Sequence, residues 1–262
     1  MIGTKMTWKS IGKGIRLALD RDLFCSMLAE FIGTTLLIGV GLSFVILDFG
    51  LSSPIRNFIP SSSERRLLTG FMFGSVGALI ALSPVGRISG AHINPVVTLA
   101  FFVRGKISSL TAVAFVCSQL FGALVGSLAL MFWGRLGQSI DFGATIPGYG
   151  AWAAVLGETA TTFCLIFFLF SVLSIRRIRS FAPFIFPPLY ATMVWIEAPI
   201  SGTSTNPARS FGPAVVSGTW TDFWVYLIGP LIGTLLALAM FRLSLLKRLE
   251  LEVAKIHHFS EK

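Results

Sequence analysis

Ser89-Gly90-Ala91-His92-Ile93-Asn94-Pro95-Val96 and Ser201-Gly202-Thr203-Ser204-Thr205-Asn206-Pro207-Ala208 stand one in each half of the 262-residue chain and align without a gap. Each ends a polar stretch and opens an apolar one too short to cross a bilayer, Asn94–Val103 and Asn206–Val216. Asn is among the best helix N-caps, because its side-chain oxygen accepts an otherwise unpaired N–H. Pro is favoured in a helix's first turn, where its missing N–H costs nothing. Both stretches therefore read as half-helices that begin inside the membrane.

The surrounding sequence supplies that membrane. The chain is 54% hydrophobic and 13% charged, with a mean hydropathy of +0.79. A soluble domain of this length would be nearer one quarter charged. Spanning the hydrocarbon takes roughly 20 apolar residues, and six stretches qualify: Leu23–Leu47, Leu67–Val85, Leu110–Phe132, Ala151–Ser174, Ala182–Ala198 and Asp222–Leu245. The first is too long for a signal-peptide core and has no cleavage site after it. This predicts an all-α membrane protein with a basic amino terminus over 1–22, a channel domain over 23–245 and a tail over 246–262.

The halves repeat elsewhere too. Ala29-Glu30-Phe31-Ile32-Gly33-Thr34-Thr35 resembles Gly157-Glu158-Thr159-Ala160-Thr161-Thr162, and Gly122 and Gly126 match Gly229 and Gly233. Repeat 1 covers about 23–138 and repeat 2 about 151–245. Each carries three spans and one half-helix. Three is odd, so the second half enters from the opposite side, an inverted repeat.

Charge sets the orientation. With the amino terminus cytoplasmic, sixteen of the twenty-one Lys and Arg fall inside, and Arg56, Arg65, Arg66, Arg135 and Arg209 fall outside. The positive-inside rule thus predicts cytoplasmic termini, and it accounts for the net charge of +9 without nucleic acid. Cys25, Cys117 and Cys164 are far apart and form no CxxC, which predicts free, buried thiols and neither disulfide nor metal site. No cofactor is expected. GxSxG and HExxH are missing, which argues against an enzyme.

Non-helical backbone at membrane depth must be buried in protein or line a wet cavity. Two such breaks in an inverted repeat bring two helix amino-termini together near the midplane. Each carries partial positive charge and unpaired N–H groups, a barrier to a cation or hydronium but not to a neutral molecule. A permeant can accept from the Asn94 and Asn206 amides and donate to backbone carbonyls at Ala91, His92, Ile93, Thr203, Ser204 and Thr205. A secondary transporter also uses inverted repeats and broken helices, and would need an ion-coupling site at the midplane.

These loops, with Ala208-Arg209-Ser210 following the second Asn-Pro, resemble the two signature loops of the major intrinsic protein (aquaporin) family. The resemblance runs from about Leu23 to Leu245 and implies the aquaporin-like fold: six transmembrane helices and two re-entrant half-helices. It makes Asn94, Pro95, Val96, Asn206, Pro207 and Ala208 the pore motifs, although Val96 stands where most members have Ala. It makes Glu30 and Glu158 acids that support the loops, the alternative being proton relays. It also implies a selectivity filter of Gly74, twenty residues before Asn94, with Val194, Thr203 and Arg209. Water-selective members carry an aromatic and a His at the first two of these. The expectation is thus a wider filter, passing water and small uncharged glycerol- or urea-like solutes while excluding protons and ions.

A strictly water-selective pore is the alternative. Ser210 and Tyr226 lean toward water channels and Leu227 toward glycerol channels. The family habit implies a homotetramer, and the lack of a targeting segment favours a bacterial inner membrane. Glu197 has no counterpart in the family pattern and either pairs with Arg209, biases the potential of the vestibule, or is a solvated helix end. His92 fixes its loop by hydrogen bonding, with pH gating as the rival role.

Overall fold

A computed structural model describes residues 21–243 and 251–256. The basic stretch before Arg21, Lys247, Arg248, His257 and His258 lie outside the described residues. The main helices are α1 (Arg21–Phe49), α2 (Ser62–Leu82), α3 (Pro95–Val103), α4 (Ser109–Leu130), α5 (Ala151–Ser174), α6 (Phe186–Ser201), α7 (Pro207–Ser217) and α8 (Val225–Met240).

Caps and prolines fix the helix ends. The Ser61 hydroxyl accepts from Glu64 N–H at 3.3 Å to start α2, and Ser108 accepts from Thr111 N–H at 3.1 Å to start α4. Helix α2 stops at Leu82 rather than Val85, because Pro84 disfavours helical backbone at Ser83 and opens a separate short helix, Pro84–Ser89. Helix α6 begins at Phe186 rather than Ala182. Pro187 and Pro188 lack N–H donors and suit only a first turn, while Arg179–Ile185 ahead of them is a 3₁₀ segment.

Four of the described helices, α1, α2, α4 (with its continuation to Gln138) and α5, are long and apolar enough to cross a membrane, where six spans were expected. Helices α6 and α8 have 16 residues each and rise only about 24 Å. That falls short of a hydrocarbon core about 30 Å thick; the 3₁₀ segment lengthens α6, whereas α8 ends at Met240 in a turn over 241–243, short of the expected Leu245.

The packing repeats. Helix α1 packs on α4, α5 on α8, and α2 on α6 across the two halves. Close approach in the first two pairs depends on glycine. A Cβ at Gly126 would meet the Thr35 carbonyl oxygen at 2.6 Å, and one at Gly229 would meet Glu158 Cβ at the same distance. Small residues at such seams let helix backbones meet where lipid supplies no hydrophobic driving force. Hydrogen bonds cross both seams. Thr35 Oγ1 donates to the Gly122 carbonyl at 3.1 Å and Thr159 Oγ1 to the Gly229 carbonyl at 3.2 Å.

The outer surface is apolar, with Leu36, Val113, Phe121, Leu156 and Leu235 exposed. Such a surface suits lipid, which explains one difference from expectation: Cys25 and Cys117 are free but exposed, not buried. The polar and charged groups turn inward instead. Glu30, Glu158, Gln119, Asn94, Asn206 and Arg209 are all buried.

Replacing Gly126 by Val should split α1 from α4 and lower the detergent melting temperature by more than 5 °C. Gly77→Ala, whose Cβ would meet only Leu37 Cδ1 at 3.9 Å, should leave it within 1–2 °C; differential scanning fluorimetry of the two variants reads both effects.

Candidate functional site

The two signature loops run through backbone that L residues rarely adopt. Gly90, Ala91 and Ile93 have φ of 94°, 52° and 41°; Gly202, Thr203 and Thr205 have 87°, 49° and 52°. A left-handed β-branched residue costs on the order of 1–3 kcal/mol, and each loop contains at least one. The alternation directs successive N–H groups toward one side, where a carboxylate meets them.

In the first half Glu30 Oε1 accepts from His92 N–H at 2.9 Å and Oε2 from Ile93 N–H at 2.7 Å. In the second, Glu158 Oε1 accepts from Ser204 N–H at 2.7 Å and Oε2 from Thr205 N–H at 2.8 Å. Each acid is wholly buried and clamps the loop of its own half. Bonds of this charge-assisted kind contribute roughly 1.5–3 kcal/mol each, enough to offset the strained backbone. Gln119, absent from the sequence reading, and Tyr226 complete the clamps. Gln119 Nε2 donates to Glu30 Oε2 at 2.7 Å and to Thr98 Oγ1 at 2.9 Å. Tyr226, which stands three residues before Gly229 as Gln119 stands before Gly122, donates its hydroxyl to the Ser201 carbonyl at 2.8 Å.

The half-helices α3 and α7 start at the asparagines. Asn94 Oδ1 accepts from Val96 N–H at 3.0 Å, and Asn206 Oδ1 accepts from Ala208 N–H at 3.0 Å and Arg209 N–H at 3.3 Å. Across the halves the bonds are reciprocal. Asn94 Nδ2 donates to the Thr205 carbonyl at 2.9 Å, and Asn206 Nδ2 to the Ile93 carbonyl at 3.0 Å. Each amide keeps a second N–H. The Ile93 and Thr205 carbonyls each spend one acceptor position on this lock. Pro95, Val96, Pro207 and Ala208 form the first turns behind it.

Two cavities flank the lock. One, of about 310 Å³, opens at the end that carries Arg66 and is lined by Thr69, Phe73, Val194, Thr203 and Arg209. The other, of about 40 Å³, lies toward the end that carries Arg87 and is lined by Gly74, Ala91, Asn94, Val97 and Asn206. Phe73 and Tyr190 line both and stand between them, ring centroids 5.6 Å apart. Tyr190 is fixed by a 2.9 Å bond between its hydroxyl and Thr205 Oγ1.

Val194, Thr203 and Arg209 thus share the large cavity, whereas Gly74 lines only the small one. A Cβ on Gly74 would strike the backbone of Phe186 and Pro187, so this glycine serves the α2–α6 contact. Its neighbour Phe73 faces the cavity instead. Counting back from Asn94 crosses the break at Ser83–Pro84, where helical phase is not carried through.

Arg209 Nη1 donates to the Gly143 carbonyl at 2.6 Å, so the segment between α4 and α5 positions it. That segment is tied down by a 2.7 Å bond between the Thr145 and Ser210 hydroxyls and by Gly148 N–H on the Ile200 carbonyl at 2.8 Å. Glu197 is neither paired with Arg209 nor a solvated helix end. It is buried, forms no ion pair with Arg209 among the described residues, and accepts from Thr203 Oγ1 at 2.5 Å. His92 Nε2 lies 3.0 Å from the Ala254 carbonyl and its ring stacks on Phe101.

Comparison with known proteins follows from this geometry. The model of the family described as major intrinsic protein matches residues 20–241. The chain belongs to that family. Similar relatives include aquaporin TIP4-4 of Zea mays, 40% identical over 58% of this chain and 61% of that protein, and aquaporin NIP1-1 of Zea mays, 40% identical over 60% and 56%. The chain thus spans about six-tenths of the length of these two relatives. Probable aquaporin TIP2-2 of Arabidopsis thaliana is 32% identical over 80% of this chain and 83% of its own.

Among solved structures the fold matches the aquaglyceroporin from Plasmodium falciparum with a TM-score of 0.67, at 18% identity, over 87% of this chain and 99% of that one. The protein is an integral, multi-pass membrane protein with the aquaporin fold. These plant relatives lend no support to a bacterial inner membrane.

Glu30→Ala leaves the His92 and Ile93 N–H groups unpaired where water is excluded. At roughly 1–3 kcal/mol per stranded donor, the folded state should lose on the order of 2–6 kcal/mol, read as a large fall in detergent melting temperature. Gln119→Leu keeps both backbone bonds to Glu30 and should cost less than half as much.

Proposed function

We propose that this member of the major intrinsic protein family is a passive channel, not an enzyme, conducting water and small uncharged solutes and rejecting protons and ions. The reciprocal Asn94–Thr205 and Asn206–Ile93 bonds carry the reading. They hold two helix amino-termini against one point, each with partial positive charge. A cation there loses hydration and meets repulsion, whereas a water molecule can accept from the free N–H of either amide. Glu30 and Glu158 each accept two loop N–H groups, which argues against a proton-relay role for that pair.

The large cavity decides what approaches the lock. Arg209 and Thr203 offer donors on one side; Val194 and Phe73 offer apolar surface on the other. A solute with both hydroxyl and C–H faces suits that lining. Phe73 and Tyr190 then set the narrowest width, so water outpaces any larger solute. This is a tighter filter than Gly74 at the same place would give.

The basic end, with Arg87, Arg176 and Arg179, is the cytoplasmic one in this proposal, by the positive-inside rule. Assembly as a homotetramer, implied by the family resemblance, belongs to the same proposal.

Stopped-flow light scattering on proteoliposomes should show osmotic shrinkage well above protein-free vesicles, and measurable but slower reswelling with glycerol or urea. Shrinkage no faster than protein-free vesicles overturns the channel reading, and fast shrinkage without reswelling restricts it to water. Phe73→Ala should raise glycerol permeability relative to water by about three- to tenfold, the order expected when the steric barrier is lowered by about 0.7 to 1.4 kcal/mol.

A further inference from the structure

We infer that the mouth of the pore at the basic end is a peptide-binding site whose occupant is the chain's own Leu251–Ile256 segment, and that its occupation restricts flow through the channel without abolishing it. The inference rests on the channel reading above, and it concerns a part of the chain that the family match, ending at residue 241, does not reach.

The segment is held along its whole length. Ile256 N–H donates to the Gly90 carbonyl at 3.1 Å, at the entry to the first signature loop. Lys255 Nζ donates to the Arg87 carbonyl at 2.5 Å, and the Ala254 carbonyl lies 3.0 Å from His92 Nε2. Glu252 takes a bidentate bond from Arg176, at 2.9 Å from Nε and 2.8 Å from Nη2, and a longer one from Arg179 at 3.4 Å. Those hydrogen bonds hold the Glu252 carboxyl below the usual carboxylate range. Between these polar anchors Leu251, Val253 and Ile256 are buried. The strap thus turns three apolar side chains into the protein while its polar groups bond at the surface.

The position of the strap matters more than its attachment. Ile256 lines the small cavity together with Ala91, Asn94 and Asn206, so an apolar side chain caps the passage directly beneath the Asn lock. The cavity holds about 40 Å³, against 310 Å³ on the other side of Phe73 and Tyr190. That is room for a few waters at most. The anchors are also unlike those of a permanent structural element. The bidentate ion pair is exposed on both partners, and exposed pairs weaken with salt and compete with water. Gly90 fits the strap for a steric reason as well. A Cβ there would approach Lys255 Cα to 2.8 Å, so this turn leaves room for the peptide to lie against it. Restricted and open states of this kind exchange by release of a tethered ligand, whose effective concentration is high because it is part of the same chain.

The test measures osmotic permeability per channel in proteoliposomes for the full chain, for a chain ending at residue 250, and for two charge variants. Removing 251–262 should raise permeability at least threefold. Glu252→Arg, which keeps the chain full length and sets like charges against Arg176 and Arg179, should raise it similarly. Exchanging the charges with Arg176→Glu, Arg179→Glu and Glu252→Arg together should return permeability to that of the unmodified chain. A synthetic peptide of residues 249–262 should inhibit the shortened channel. Equal permeability of the full, shortened and Glu252→Arg forms overturns the strap as a gate and leaves the channel reading standing. Permeability at the level of protein-free vesicles in every form overturns both.

Discussion

A buried carboxylate accepting two consecutive backbone N–H groups is the interaction on which this architecture rests. Backbone at membrane depth has no water to satisfy it, and the loops before Asn94 and Asn206 cannot pair with themselves, because left-handed residues at Ala91, Ile93, Thr203 and Thr205 rule out a helix. Glu30 and Glu158 resolve both problems. They satisfy the donors and hold the strained backbone in one conformation. Only then are the asparagines aligned well enough to reach the opposite half, 2.9 and 3.0 Å away. The glycine seams serve the same end. Helix α4 lies close enough to α1 for Gln119 to reach Glu30 because Gly122 and Gly126 carry no side chains between them.

How legible this was from sequence depends on whether a feature repeats. The Asn-Pro pairs, the two acids and the paired glycines each occur at matched places in both halves, and two independent copies separate a constraint from coincidence. Single features were harder to read. Gly74 was reached by a count that ran through Ser83–Pro84, where one helix stops and another starts, and its neighbour Phe73 is the one that lines the large cavity. Tyr190 is four residues before Val194 and therefore on the same helix face, a relation that spacing contains but that only the partner across the cavity makes meaningful. Glu197 read as a candidate partner for Arg209; its real partner, Thr203, is six residues along the chain and reaches it only because Gly202 turns the backbone through a positive φ. The strap at 251–256 has no periodic signal, and its contacts with Arg176, His92 and Arg87 lie 76 to 168 residues away.

The repeat is also informative where it fails. The two halves share backbone geometry almost residue for residue, yet three residues after each asparagine stand different side chains, Val97 and Arg209. Val97 lines the small apolar cavity; Arg209 lines the large one, its guanidinium held by the Gly143 carbonyl. Holding a buried guanidinium needs acceptors that an α-helical neighbourhood does not have to spare, since its carbonyls are already paired. The segment between α4 and α5 supplies one by folding back over α7. It is fastened there by Thr145 on Ser210 and Gly148 on Ile200. The symmetric part of the fold therefore presents the same Asn-capped helix termini to either face. The difference between the two cavities resides where an irregular connection, free of the inverted repeat, delivers polar backbone to one mouth alone.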